Sequence, residues 1–270
     1  MISEIDNILS SNYEITNEGS FVGIADSSSD GSFLIHYFLN SSLRKGSKVC
    51  FVGFAQSFNH YSTVAQKQGI SLNTEKEKRN LVFIEGMKYL GQAICHQALG
   101  SQDTEEGKSQ DPFSCLAKQC SLQPLLQYFK SQISSMTSAD NKVRQVLIID
   151  NLSLLINIGV QPKEMVTFLH YLKNSLLNTD IPGQVIVLLN VMQTDEDAMF
   201  LWKYLCHSCS MTMHVSGLPS GYCRDVHGEL TIKVQDSHCK AKKATTKKLQ
   251  FKVMDKNVSF FASGLSSAVL

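Results

Sequence analysis

The residues best placed for phosphate chemistry are Asp26–Ser32 (DSSSDGS), a loop of small residues between an apolar run and a helix-like segment. A phosphate-binding loop of the form G-x-x-x-x-G-K-[ST] needs glycines so that backbone N–H groups can face the phosphates. It also needs a lysine for the β- and γ-phosphates and a hydroxyl for Mg²⁺. With Gly31 set on the second glycine, Asp26 takes the place of the first, Ser32 that of the lysine and Phe33 that of the hydroxyl. Asp26 and Asp30 would also put negative charge beside a triphosphate. The loop therefore reads as a structural strand-to-helix turn, with a cryptic nucleotide site as the alternative.

Val146–Asp150 (VLIID) has the form of a Walker-B-like strand, whose terminal Asp holds a metal-bound water in an active enzyme. Without the lysine and hydroxyl of the first loop, Asp150 reads instead as a turn or helix N-cap residue. After the second apolar run, where ATPases of this architecture carry a water-activating Glu, the chain has Ala55-Gln56-Ser57, and neither Gln56 nor Ser57 is a carboxylate base. A divergent active NTPase would need a lysine from elsewhere, such as Lys45 or Lys48.

Cys206-x-x-Cys209, with His214, Cys223 and His227 downstream, has enough donors for zinc, but Cys206 ends a helical pattern and no second C-x-x-C exists. Core or surface thiols are the simpler reading, with Trp202 and Tyr204 as packing residues. Arg224-Asp225-x-His227 lies in a turn ending at Gly228, where turn hydrogen bonds or a subunit interface account for it. No metal or cofactor is expected.

The elements that must position these residues follow from periodicity. Phe21–Asp26, Lys48–Phe54, Leu81–Glu85, Val146–Asp150 and Val185–Asn190 are apolar throughout, as strands buried on both faces are. Between them, Ser32–Arg44 has helical spacing and stops at Lys45-Gly46, and Phe58–Gln68 stops at Gly69. Leu122–Ile133, Lys163–Leu177 after Pro162, and Asp195–Cys206 with its acidic start are further helices. Alternating strands and helices predict an α/β fold with a mostly parallel sheet and right-handed crossovers, in one domain over residues 1–270. Leu230–Val234, Leu249–Val253 and Asn257–Ala262 predict a late antiparallel hairpin and a last strand. Segments 101–111 and 236–248 are polar and read as disordered loops.

The chain of 270 residues is 43% hydrophobic, with 25 Lys+Arg against 24 Asp+Glu and a net charge of +1. Disordered and collagen-like classes are excluded, as is a global attraction to nucleic acid. No basic-then-apolar leader and no membrane-length apolar run is visible, so the chain reads as soluble and intracellular, its eight cysteines reduced. The basic residues are unevenly placed. Lys240, Lys242, Lys243, Lys247 and Lys248 fall within nine positions of the 236–248 loop, where they could neutralise phosphates without reading sequence. A solvated loop that keeps an edge hairpin soluble is the alternative.

The order of motifs resembles the RecA-like ATPase core. The strings DGSFLIHYFL (Asp30–Leu39), KVCFVGFAQSFNHY (Lys48–Tyr61), GYCRDVHGEL (Gly221–Leu230) and VSFFASGLSSAVL (Val258–Leu270) resemble the vertebrate Elongator complex protein 6 family. The resemblance covers the chain apart from 101–111 and 236–248. It implies a RecA-like subunit without a working phosphate loop, built with Elongator proteins 4 and 5 into a hetero-hexameric ring of two copies each. It further implies that this ring joins the remaining Elongator subunits, binds tRNA and supports carboxymethyl-type modification of the wobble uridine (U34), the chemistry belonging to another subunit. A cytoplasmic, and also nuclear, location goes with it.

Overall fold

The computed structural model describes residues 5, 19–99, 113, 116, 121–136, 143–181, 183–221, 223–235, 244–255 and 257–262. Its strands are β1 (Ser20–Ser27), β2 (Lys48–Gly53), β3 (Leu81–Ile84), β4 (Gln145–Asp150), β5 (Gln184–Asn190), β6 (Met211–Ser216), β7 (Gly228–Gln235), β8 (Ala244–Val253) and β9 (Val258–Phe261). The helices are α1 (Ser32–Arg44), α2 (Phe58–Lys67), α3 (Leu72–Glu77), α4 (Gly86–Leu99), α5 (Gln123–Ser135), α6 (Ser153–Asn157), α7 (Pro162–Leu177) and α8 (Glu196–Ser208).

The nine strands among the described residues form one sheet in the order β3-β2-β4-β5-β1-β6-β7-β8-β9. The pairings from β3 to β6 are parallel, and those from β6 onward are antiparallel. The five unbroken apolar runs are the buried parallel strands, as their composition requires. Two core layers cover them. One joins Phe21, Leu147 and Val187 to Phe129, Leu169 and Leu205 from α5, α7 and α8. The other joins Val22, Ile148 and Ile186 to α1, Tyr61 and the inner face of β7–β9, and Ile5 also lies in it.

Helix boundaries follow their local signals. Gly46 and Gly69 take positive φ (74° and 81°) just beyond α1 and α2, conformations that glycine adopts without a Cβ clash. Pro162 occupies the first turn of α7, and the Asp195 carboxylate caps α8 by accepting from Ala198 N at 2.9 Å. Helix α1 is unusual in that every residue from Phe33 to Leu43 is buried, polar ones included, because it is sandwiched between the sheet and α2.

Two expectations need correction. The loop 236–248 is shorter at its C-terminal end, since residues 244–248 already belong to β8 and pair with Gln235–Thr231 of β7. Thr245, Thr246 and the adjacent Lys247 and Lys248 are compatible with an exposed antiparallel strand, and pairing across the hairpin overrides their polarity. Strand β6 has no counterpart among the predicted elements. Its sequence, Met-Thr-Met-His-Val-Ser, alternates apolar and polar residues, a strand signal that the reading of unbroken apolar runs passed over, and Met211–Ser216 registers against both β1 and β7. Segment 101–111 and residues 236–243 lie outside the described residues.

Candidate functional site

The degenerate loop sits at the C-terminal edge of the parallel sheet, the place where open α/β sheets bind ligands. Register brings the functional side chains together here. Asp26 on β1 lies opposite Asn190 on β5, and Gly53 on β2 lies opposite Asp150 on β4.

The Asp26 carboxylate is buried. Its Oδ2 accepts from Gly31 N at 3.1 Å and its Oδ1 from Asn190 Nδ2 at 3.0 Å. Asp30 accepts from Ser32 N at 2.8 Å and from Ser32 Oγ at 2.9 Å. The first amide donors of α1, which in a phosphate loop would face the ligand, are thus bound by the loop's own two carboxylates. Burial raises the Asp26 pKa above its usual value, against the opposing pull of the Gly31 amide. Gly31 is also closely packed, since a Cβ there would lie 3.1 Å from Asp26 Cβ.

Asp150 is 2% exposed at the end of β4. Of the two sequence-based readings, turn residue or helix N-cap, the second is corrected: Leu152 holds the N-cap position of α6 without a side-chain cap, and it is Asn151 whose Oδ1 accepts from Ser153 N at 2.9 Å in the turn before the helix. The Asp150 side chain instead accepts from the Tyr61 hydroxyl at 2.5 Å, and its backbone carbonyl accepts from Phe54 N and Ala55 N. Burial pushes its pKa up to about 6, with a further rise from the negative charges of Asp26 and Asp30 and an opposing effect of Tyr61. The charges that reach it are therefore all of its own sign.

Ser32 and Phe33 occupy the positions of the lysine and the Mg²⁺ hydroxyl, and neither supplies that chemistry. Ser32 is tied to Asp30, and Phe33 packs its ring 5.0 Å from that of Phe251. Lys48 is engaged at the opposite end of β2, donating to Arg79 O at 3.1 Å and Asn80 Oδ1 at 2.8 Å. Lys45 lies beyond the C-terminus of α1, a helix of 13 residues and hence about 20 Å long, so it starts far from the loop. The ion pairs among the described residues, Lys78–Glu75 and Lys252–Asp225, also lie elsewhere.

The remaining sequence candidates separate. Lys240, Lys242 and Lys243 lie outside the described residues. Lys247 and Lys248 stand on β8 rather than on a loop, opposite Ile232 and Thr231, so they project to opposite faces of the sheet. Cys209 is buried against Gly23, where a Cβ would come within 3.0 Å of its Sγ, and Cys206 is half-buried in the last turn of α8. The His214 Nε2 is hydrogen-bonded to Ser27 Oγ at 2.9 Å. Asp225 pairs with Lys252 at 2.7 Å, and His227 accepts from Val253 N through Nδ1 at 3.2 Å, so that turn staples β7 to β8. Ser29 Oγ donates to the His227 carbonyl at 3.3 Å and ties the phosphate-loop position to the same staple.

Tyr61 and Asn190 are the site residues that sequence reasoning missed. Asn190 carries a faint signal as the polar end of an apolar strand, whereas Tyr61 reads as an ordinary helix residue.

A mostly parallel sheet with antiparallel strands at its far edge, and a strand–loop–helix unit at β1, defines a RecA-like protein. The solved structure of a KaiC-like protein from the archaeon Pyrococcus horikoshii shares this fold, with a TM-score of 0.55 over 90% of each chain at 10% identity. The chain belongs to the Elongator complex protein 6 family: the family model described as Elongation complex protein 6 matches residues 2–255. Elongator complex protein 6 of Xenopus tropicalis is 35% identical over 274 residues, that of Mus musculus 36% over 276 and that of Homo sapiens 33% over 276, each covering 100% of both chains.

Proposed function

We propose that the chain is a non-catalytic RecA-like subunit of the Elongator complex, assembled with Elongator proteins 4 and 5 into a hetero-hexameric ring of two copies each. Through that ring it binds tRNA and supports carboxymethyl-type modification of the wobble uridine, in the cytoplasm and also in the nucleus, with no membrane partner. The observation that carries the non-catalytic part is the loop at α1: its amide donors are taken by Asp26 and Asp30. A triphosphate would have to displace both carboxylates and sit beside Asp150 without a lysine to offset the charge. Family membership supports the place in the complex.

The isolated chain is expected to show no saturable Mg-ATP binding in equilibrium dialysis, and co-expression with Elongator proteins 4 and 5 should yield a hexamer by native mass measurement. Saturable ATP binding that is lost in Ser32→Ala would overturn the non-catalytic reading. Absence of any co-assembly would overturn the ring.

Replacing Lys240, Lys242, Lys243, Lys247 and Lys248 by Ala should weaken tRNA binding by the assembled ring. The slope of log affinity against log salt should flatten by roughly one unit for each phosphate contact removed. Because Lys247 and Lys248 face opposite sides of β8, they cannot both contribute to one flat surface, and restoring each singly should give unequal recovery. Unchanged affinity and slope would leave the segment a solubilising edge.

A further inference from the structure

The end of the parallel sheet opposite the loop Asp26–Ser32 gathers cations. Because β2, β3 and β4 run parallel, the residues that lead into them meet there. Arg44 and Lys45 close α1, Lys48 opens β2, Lys78 and Arg79 precede β3, and Arg144 precedes β4. Arg44, Lys45, Lys78 and Arg79 are exposed, and Lys48 and Arg144 are half-buried. The carboxylates that lead into this end among the described residues are Glu75 and Glu77 on α3 and Asp180 before β5. Glu75 is already engaged, by Lys78 at 3.4 Å and by Asn80 Nδ2 at 2.7 Å.

These cations stand on a braced edge. Lys48 N–H donates to Arg144 O at 2.9 Å and Val49 N–H to Asn80 O at 2.8 Å, which joins the three strand starts. The Lys48 ammonium donates to Arg79 O at 3.1 Å and Asn80 Oδ1 at 2.8 Å. It thereby holds the turn in which Arg79 takes a φ of 56°, uncommon for a residue with a Cβ. The Arg44 guanidinium donates to Gln68 O at 2.6 Å, at the end of α2. Neighbouring strands lie about 4.8 Å apart, so the charges spread over roughly 10 Å of edge and face a row of anionic groups rather than one.

We propose that this edge is a contact for the phosphate backbone of RNA, its cations neutralising successive phosphates without reading bases. RNA fits better than an acidic protein because the centre of a protein interface is apolar. Met87 and Met192, large apolar side chains that are exposed, stand at the other end of their strands. The edge is separated from Lys247 and Lys248 on β8 by several strands of the sheet, and so forms a second surface. The proposal rests on the reading that the assembled ring binds tRNA, and adds where this chain meets it.

The test measures tRNA binding by the assembly co-expressed with Elongator proteins 4 and 5, using fluorescence anisotropy over a range of salt. Lys45→Ala combined with Arg79→Gly, glycine being suited to the φ at that turn, should weaken binding roughly tenfold at physiological salt. The slope of log affinity against log salt should fall by about two units. Lys163→Ala combined with Lys203→Ala removes the same charge from exposed helix positions elsewhere and should leave both quantities unchanged. The loss should be equal for tRNAs of different anticodon, and polyglutamate should displace tRNA only at several-fold higher concentration than polyuridine. Where the double variant fails to assemble by native mass measurement, Arg79→Gly alone carries the test, with a slope change of about one unit. Unaltered affinity and slope in an assembled variant, or an equal loss in the Lys163/Lys203 variant, overturns the edge site. Displacement by polyglutamate as readily as by polyuridine marks an acidic protein as the partner and overturns the RNA assignment. Absence of tRNA binding by the unmodified assembly overturns the reading beneath it.

Discussion

Asp150→Asn is expected to stabilise the protein at neutral pH. The Asp150 carboxyl has a pKa raised from 3.8 to about 6, chiefly by burial. The folded state therefore holds this proton more tightly than the unfolded state does. As pH rises from 3.8 to 6 the folded state loses stability, and above 6 the whole penalty of keeping a buried charge is present. A shift of about two units corresponds to about 3 kcal/mol, of which Asn should recover about 1–3 kcal/mol at pH 7.5 and almost nothing at pH 4. Its amide oxygen still accepts from Tyr61. Tyr61→Phe should act in the opposite direction, destabilising by about 2–3 kcal/mol because the carboxylate loses its donor, and combining it with Asp150→Asn should restore much of that loss. Urea unfolding across this pH range checks all three variants. In a working RecA-like ATPase the same Asp serves the metal, so stabilisation without loss of complex function would separate this chain from that class. Destabilisation by Asp150→Asn at every pH would mean that the charge is compensated.

Gly228→Ala is expected to cost about 2–3 kcal/mol. Gly228 opens β7, and a Cβ at that position would lie 2.4 Å from the Ser216 carbonyl oxygen and 3.0 Å from the Phe251 ring. The first neighbour is backbone of the paired strand, so relief requires β6 and β7 to separate rather than a side chain to turn. The consequences reach the loop, because the adjacent His227 donates its N–H to Phe251 O and accepts from Ser29 Oγ at its carbonyl. Urea unfolding should show the loss, and amide exchange should rise along β6 and β7. Gly91→Ala is the control: nothing lies within 4 Å of a Cβ there, so a helical alanine should be neutral or stabilise by up to about 1 kcal/mol. Equal effects of the two substitutions would refute the steric argument.

Much of the fold was legible in the chain. The run Val185–Asn190 could be recognised as a doubly buried strand from its composition alone, and α1 could be ended at Gly46 from a single glycine. Strand β6 was missed although Met211–Ser216 alternates apolar and polar residues; what the sequence did not show is that it joins the parallel strand β1 to the antiparallel strand β7. The site divides in the same way. Loss of the phosphate-binding lysine and hydroxyl at Ser32 and Phe33 is a matter of residue type. The role of Asp150 is not, since a helix-cap reading and a buried hydrogen bond to Tyr61 are equally compatible with a terminal Asp.

The amino-acid sequence by itself determined the parallel α/β plan, the helix ends and the departure of the first loop from the phosphate-binding pattern, because periodicity, capping and motif identity are local properties. Tertiary structure alone decided which carboxylates meet and what holds them. Asp26 and Asn190 are 164 residues apart and Tyr61 and Asp150 are 89 apart, so each pairing exists only once the parallel strands have taken their register.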